Sequence, residues 1–197
     1  MNELRFDEIY AGFHTKIVRY LTRLVGETEA EDLAQETFVK VGQALEGFRG
    51  EAQLHTWVYK IATNTALDRL RSPSFKETSH DPAVIESTAS IEDAGVWTGR
   101  KPLTVEQQAI REEMSSCVRG VVDRLPDNYR TAIVLSDLEG FKDSEIAGVL
   151  GLTLSATKIR LHRARSRLKH ELSNCCVFYR NEEDELACDR KTEADNE

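Results

Sequence analysis

The chain has 197 residues, room for one domain or two small ones, and carries a net charge of −8. Charged residues make up 30% of it and hydrophobic residues 40%, an ordinary globular composition that excludes an intrinsically disordered chain. Aromatics are only 7% and prolines only four, which favours helices over an all-β fold.

Along the chain, three helical patterns fill residues 5–71. The first places Phe6, Ile9, Phe13, Ile17 and Leu21 on one stripe. The second starts near Thr28, where Thr28-x-x-Glu31 has the form of a capping box, and runs to about Leu45 with Leu33, Phe38, Val41 and Leu45 inward. The third spans Gln53 to about Arg71, with Leu54, Val58, Ile61 and Ala62 on one side. From Ser72 to Leu103 the periodicity lapses among Pro73, Pro82, Gly95, Gly99 and Pro102. A structureless stretch of this length is rare inside one compact domain, so 72–103 reads as a flexible, mildly acidic linker. Periodicity returns at Thr104. Ile110, Met114, Cys117, Val121 and Leu125 form a stripe that ends at Leu125-Pro126, which makes Cys117 a core residue. Helices follow over about Asp127–Leu138, Asp143–Leu150 and Leu154–Leu172. Gly151-Leu152-Thr153 joins the last two with the spacing of a helix-turn-helix. The expected fold is all-α, with two small helical domains at 1–71 and 104–172 and an acidic, cysteine-containing tail at 173–197.

The net charge hides a segregation. Residues 154–170 hold six cations (Lys158, Arg160, Arg163, Arg165, Arg167, Lys169) and no acid, whereas 173–197 hold three cations against eight acids. A basic helix beside an acidic segment is a nucleic-acid-binding footprint with something to shield it. On a helical projection Leu154, Thr157, Leu161, Ala164 and Leu168 share one face and would pack on Ile146, Val149 and Leu150. Ser155, Ile159, His162, Arg163 and Ser166 lie opposite. That exposed face can enter a major groove, where Arg163 pairs with a guanine and Ile159 touches a thymine methyl. Lys158 and Arg160 on the flanks are placed for phosphates. The competing reading is a solvated basic helix in an ordinary bundle. Six cations in seventeen residues directly after a Gly-x-Thr turn favour DNA.

In the N-terminal half, Asp32, Gln35 and Glu36 make an acidic patch at helical spacing. It suits a basic protein partner or is simply a solvated face. Trp57, Lys60, Asn64 and Arg71 fall along one stripe, offering stacking, phosphate neutralisation and edge readout to splayed single-stranded bases. Phe48, Arg49 and the loop through His55 can receive a base turned out of the stack. Taken alone, Trp57 is as readily a core residue.

Together these residues resemble the sigma-70 family of RNA polymerase sigma factors, in its extracytoplasmic-function (ECF) group. Asp32-Leu33-Ala34-Gln35-Glu36-Thr37-Phe38 is similar to region 2.2. Phe48-Arg49-Gly50 with Trp57, Ile61-Ala62, Asn64, Asp68 and Leu70-Arg71 is similar to regions 2.3 and 2.4. Leu125-Pro126, Tyr129-Arg130, Leu135, Glu139-Gly140, Glu145-Ile146-Ala147, Leu150-Gly151 and Lys158 through Leu168 are similar to region 4. The resemblance covers about two-thirds of the chain and implies a promoter-recognition subunit with no catalytic activity of its own. It implies that Asp32, Gln35, Glu36 and Phe38 dock on core RNA polymerase at the β′ clamp, with the β flap as a second contact. It implies that Phe48, Arg49, His55, Trp57, Lys60, Asn64 and Arg71 read the −10 element of promoter DNA. Ser155, Lys158, Ile159, Arg160, His162, Arg163 and Ser166 would read the −35 element, and an anti-sigma factor would hold the chain inactive. Thr153-Leu154-Ser155-Ala156-Thr157 departs from the family's usual Gly-Thr-Val after the turn, which leaves the −35 sequence open.

No apolar N-terminal leader and no membrane-length apolar run is present, so a cytoplasmic chain without membrane insertion is expected. Its four cysteines then read as thiols or ligands rather than structural disulfides. Cys175, Cys176 and Cys188, with His170 nearby, match the donor set of a Cys₃His zinc site, although adjacent cysteines hold a tetrahedral metal awkwardly. A redox switch is the second reading and a solvated acidic tail the third. No cofactor is otherwise implied. Two competing functions remain on sequence grounds. One is a stand-alone helix-turn-helix regulator with a thiol- or metal-sensing tail, for which no heptad dimerisation seam is visible. The other is an enzyme, for which no Walker A, H-E-x-x-H, G-x-S-x-G or dinucleotide motif is present.

Overall fold

A computed structural model describes residues 5–50, 52–73, 75, 117–180 and 186–191. Helices α1 (Phe6–Val25), α2 (Glu27–Ala44) and α3 (Leu54–Arg71) form the N-terminal bundle. Ile9, Ile17, Leu21 and Leu24 of α1 meet Leu33, Phe38 and Val41 of α2 and Val58, Ala62, Ala66 and Leu70 of α3 in one buried core. Alanines at Ala34, Ala62 and Ala66 let the helices approach closely. Buried hydroxyls turn back onto their own helices. Thr37 donates to the Leu33 carbonyl at 2.7 Å and Thr63 to the Tyr59 carbonyl at 2.6 Å, so neither is left unsatisfied. The Thr28-Glu31 capping box does not form. Helix α2 begins one residue earlier, on Gly26 at φ +88°, a backbone conformation that glycine accepts easily. Glu31 pairs instead with His14 at 3.3 Å.

In the second helical unit the first described residues, 117–123, are helical (α4), and the helix is stopped as expected at Leu125-Pro126. Helix α5 (Asp127–Ile133) continues into a wider turn over Val134–Leu138, closed by the Glu139 N–H on the Val134 carbonyl at 2.9 Å. Helices α6 (Asp143–Leu150) and α7 (Leu154–Cys175) form the helix-turn-helix. Its turn has two devices. Gly151 sits at φ +63° as the left-handed cap of α6. The Thr153 hydroxyl then accepts the Ala156 N–H at 3.2 Å to start α7. Thr157, Leu161 and Ala164 are buried, and Leu161 packs in the core that holds Ile146 and Val149. Leu154, expected inward, is 45% exposed in the first turn of α7.

Two findings depart from the sequence reading. Helix α7 runs on to Cys175 and the chain then forms an antiparallel hairpin, β1 (Cys176–Arg180) with β2 (Leu186–Arg190), pairing Cys176 with Arg190 and Phe178 with Cys188. The described part of 173–197 is therefore ordered structure rather than a solvated tail. The run Cys176-Val177-Phe178-Tyr179 has the β-branched and aromatic character that a strand favours. Second, the hydrophobic core continues from one helical unit into the other. Phe141 packs against the rings of Tyr59 and His55 at centroid distances of 4.7 and 5.2 Å, and Gly148 of α6 approaches Thr56 of α3 closely. The expected linker lies outside the described residues except for Ser72, Pro73 and Phe75, as do Ile110 and Met114 of the expected stripe.

Candidate nucleic-acid interface

On α7, Ser155, Lys158, Ile159, His162, Arg163 and Ser166 are all exposed, and Arg160 is half-buried. Ile159 is 53% exposed, an apolar side chain of this size left in solvent on an otherwise polar face. The cations divide by partner. Arg165 reaches back to the turn after α5, donating to Asp137 at 2.6 and 3.3 Å and to the Ser136 hydroxyl at 2.7 Å. Burial works against the Asp137 carboxylate, but the bonds from Arg165 and Ser136 outweigh it and hold its pKa below the usual range. Arg167 pairs with Glu171 at 2.8 Å. Lys158 and Arg163 have no acidic partner among the described residues and remain available to an external anion. A groove of about 460 Å³ beside them is lined by Asp143, Lys158, His162, Arg165 and Lys169.

In the N-terminal bundle the Phe48 ring lies tilted against Trp57 at a centroid distance of 4.8 Å, and Trp57 is half-buried and packs on the core. Trp57 thus stands at the rim of the core with an aromatic neighbour. Arg49, Lys60, Asn64 and Arg71 are exposed. His55 is placed differently. Its ring nitrogen lies 3.1 Å from the Glu145 carboxylate of α6. The Lys142 N–H at 2.8 Å and then His55 hold the Glu145 carboxyl below its ordinary range. Asn64, Asp68 and Arg71 face Asp127, Asn128 and Arg160 across a cleft of about 530 Å³, so α3 and the second helical unit share a seam.

Sequence reasoning missed the centre of that seam. Glu139, quoted only as part of the resemblance to region 4, has a side chain just 3% exposed, pairs with Arg23 of α1 and accepts from the Tyr59 hydroxyl at 2.8 Å. Burial, and then the Glu139 charge, push the Tyr59 pKa well above its ordinary value. These partners lie 116 and 80 positions away along the chain, so no local pattern could have signalled them.

On α2, Asp32, Gln35 and Glu36 are exposed together, with Glu36 paired to Lys40 at 2.7 Å. Phe38 is not part of that surface. It is 2% exposed and packs edge-on against Tyr10 at 4.9 Å, because its position on α2 faces the core. Of the proposed zinc donors, His170 takes Asn174 as its partner at 3.3 Å. The cysteine read as core, Cys117, instead touches Cys176, sulfur to sulfur, at 3.2 Å. Among the described residues no three His, Cys, Asp or Glu side chains are disposed to hold a metal ion, and no helix is long and apolar enough to cross a membrane.

Comparison with known proteins agrees with this layout. The family profile for Sigma-70 region 2 matches residues 9–74, and that for Sigma-70 region 4 matches residues 115–168. The RNA polymerase sigma-H factor of Pseudomonas aeruginosa is 31% identical over 173 residues, 85% of this chain and 86% of that protein. The ECF RNA polymerase sigma-E factor of Haemophilus influenzae is 29% identical over 167 residues, 85% of this chain and 87% of that protein. Among solved structures, RpoE in complex with the anti-sigma factor NepR from Bartonella quintana shares the fold with a TM-score of 0.59 at 22% identity, covering 85% of this chain and 96% of that one. CnrH in complex with the cytosolic domain of CnrY does so with a TM-score of 0.58 at 24% identity, covering 86% and 88%. A region 2 bundle, a region 4 helix-turn-helix and relatives matched along most of their length place the chain in the sigma-70 family of RNA polymerase sigma factors, within its extracytoplasmic-function group.

Proposed function

We propose that this chain is a promoter-recognition subunit that binds core RNA polymerase and directs initiation at promoters bearing its −10 and −35 elements. The observation that carries this reading is the face of α7. Lys158, Ile159, His162 and Arg163 stand exposed there while Thr157, Leu161 and Ala164 anchor the helix from behind. Arg163 reads a base edge and Lys158 neutralises a phosphate. The exposed Asp32-Gln35-Glu36 face of α2 docks on the polymerase. Trp57, Phe48, Arg49, Lys60, Asn64 and Arg71 meet the melted −10 strand. His55, engaged with Glu145, joins them only when the seam between the two helical units parts. Chemistry at the growing RNA belongs to the polymerase and not to this chain.

The chain matches RpoE, whose solved structure holds an anti-sigma factor, over most of its length, and a proteinaceous inhibitor of that kind is the second partner of this reading. Run-off transcription with core polymerase and a promoter library tests the whole. Promoter-specific transcripts are expected with the wild type and are lost with Asp32→Arg or Arg163→Ala. Absence of stimulation, combined with tight operator binding in the absence of polymerase, would establish the stand-alone regulator instead.

A further inference from the structure

The chain has four cysteines, and the fold brings them to one place. Cys117 comes from α4, Cys175 and Cys176 from the junction of α7 and β1, and Cys188 from β2. The Cys117 and Cys176 sulfurs stand 3.2 Å apart although the residues are 59 positions apart in sequence. Cys188 lies near enough to help raise the Cys176 thiol pKa, and the Arg124 guanidinium donates to the Cys175 sulfur at 3.6 Å, placing a cation at the edge of the group.

We propose that Cys117 and Cys176 form a reversible, oxidant-responsive disulfide that ties the end of the recognition helix α7 to α4. This inference stands independently of the promoter reading. The geometry selects the pair. Cys176 lies opposite Arg190 in the hairpin and Cys188 lies opposite Phe178, so Cys176 and Cys188 are diagonal neighbours. Diagonal positions stand about 7–8 Å apart, beyond the span of roughly 4.4–6.8 Å between α-carbons that disulfides bridge. Adjacent Cys175 and Cys176 point to different surroundings, the first to Arg124 and the second to Cys117. Burial thus assigns the order of events. Cys117 is half-buried and reachable, whereas Cys176 is 3% exposed. Burial, followed by the neighbouring Cys117 sulfur, pushes the Cys176 thiol up to about 12, so it stays protonated and acts second.

With hydrogen peroxide as oxidant, the Cys117 sulfur attacks one peroxide oxygen. The O–O bond breaks, a sulfenic acid forms on Cys117 and one water leaves. The Cys176 sulfur then attacks the Cys117 sulfur, the S–O bond breaks, and the departing hydroxyl takes the Cys176 proton as a second water. Two thiols have lost two electrons and two protons, and one peroxide has become two waters. A thiol reductant reverses the step by exchange. The second step, attack by the protonated Cys176 thiol on the Cys117 sulfenic acid, is expected to be the slow one, so the site answers sustained rather than brief exposure.

The test uses the full chain, reduced, desalted without air, treated with hydrogen peroxide and quenched with N-ethylmaleimide. The expected product carries two maleimide groups, on Cys175 and Cys188, in place of the four on the reduced chain, and has lost two hydrogens where Cys117 and Cys176 are joined. Dithiothreitol should restore four alkylated cysteines. Cys117→Ser and Cys176→Ser should each abolish the product, while Cys175→Ser and Cys188→Ser keep it. Oxidation should raise the thermal midpoint by several degrees, since the link closes a long loop in the unfolded chain. A linkage through Cys175, or equal yield from the guanidinium-unfolded chain, would overturn the proposal. So would zinc or cadmium protecting Cys117, Cys176 and Cys188 together from alkylation while peroxide forms no disulfide, which would make the cluster a soft-metal site.

Discussion

At the scale of single residues, Arg163 and Lys158 differ in what they are free to do, although both are exposed cations on α7. Arg163 is centred on the outward face and can match a guanine edge with two parallel hydrogen bonds. Arg163→Ala should weaken binding of the holoenzyme to its own −35 element by about 1–3 kcal/mol, and by much less to a promoter changed at that base pair. Lys158, on the flank, carries no such preference. Lys158→Ala should lower affinity evenly across promoters and reduce the slope of log affinity against log salt by about 1, read from a salt titration of promoter binding. Arg165 offers a contrast, because Asp137 and Ser136 already occupy its guanidinium. Its charge counts in a sequence census but is spent inside the protein. The sequence told cations from acids here and could not tell a free cation from a paired one.

At the scale of elements, the helices were legible because their signals are local. Apolar residues recur every three or four positions, and Gly151 and Pro126 mark the stops. The start of α7 depends on one side chain, the Thr153 hydroxyl accepting the Ala156 N–H. Thr153→Ala should destabilise the region 4 unit by about 1 kcal/mol, and Thr153→Ser should restore most of it, both measured by urea denaturation. The start of α2 was misread for the opposite reason. Thr28 and Glu31 have the spacing of a cap, but the Gly26 backbone lets the helix begin before them. The hairpin was hidden by composition. Four strand-forming residues at 176–179 are followed by a run of acids, and net charge outweighed a short β signal. The sulfur cluster was half legible. Three cysteines stood close in sequence, whereas Cys117 joined them through a fold contact that no spacing announces.

At the scale of the whole molecule, α6 and the turn before it close onto α1 and α3 through Glu139, Glu145 and Phe141. Glu139 is a nearly buried carboxylate with a cationic partner. Glu139→Gln strips the charge that Arg23 faces, and removing one member of such a pair is expected to cost about 3 kcal/mol. A lower urea midpoint and a longer distance between dyes on α3 and α7 would register it. An unchanged distance would mean that the aromatic packing around Phe141 suffices to hold the seam. Acid should act on the same contact through Glu145. Its folded-state pKa is depressed below the ordinary 4.5, so its contribution is complete above that value and is lost as pH falls through the lower one. The dye distance should therefore stay flat from neutral pH down to about 4.5 and lengthen below it.

That seam also bears on how quickly the chain could find a promoter. Asn64 and Arg71 of α3 and Arg160 of α7 line one cleft of about 530 Å³, far too small to admit a duplex. If these residues read the promoter as proposed, the fraction of molecules open at a given moment scales the apparent affinity for promoter DNA directly. A weaker seam would then shorten the search for a promoter, with one nearly buried carboxylate, Glu139, tuning its length.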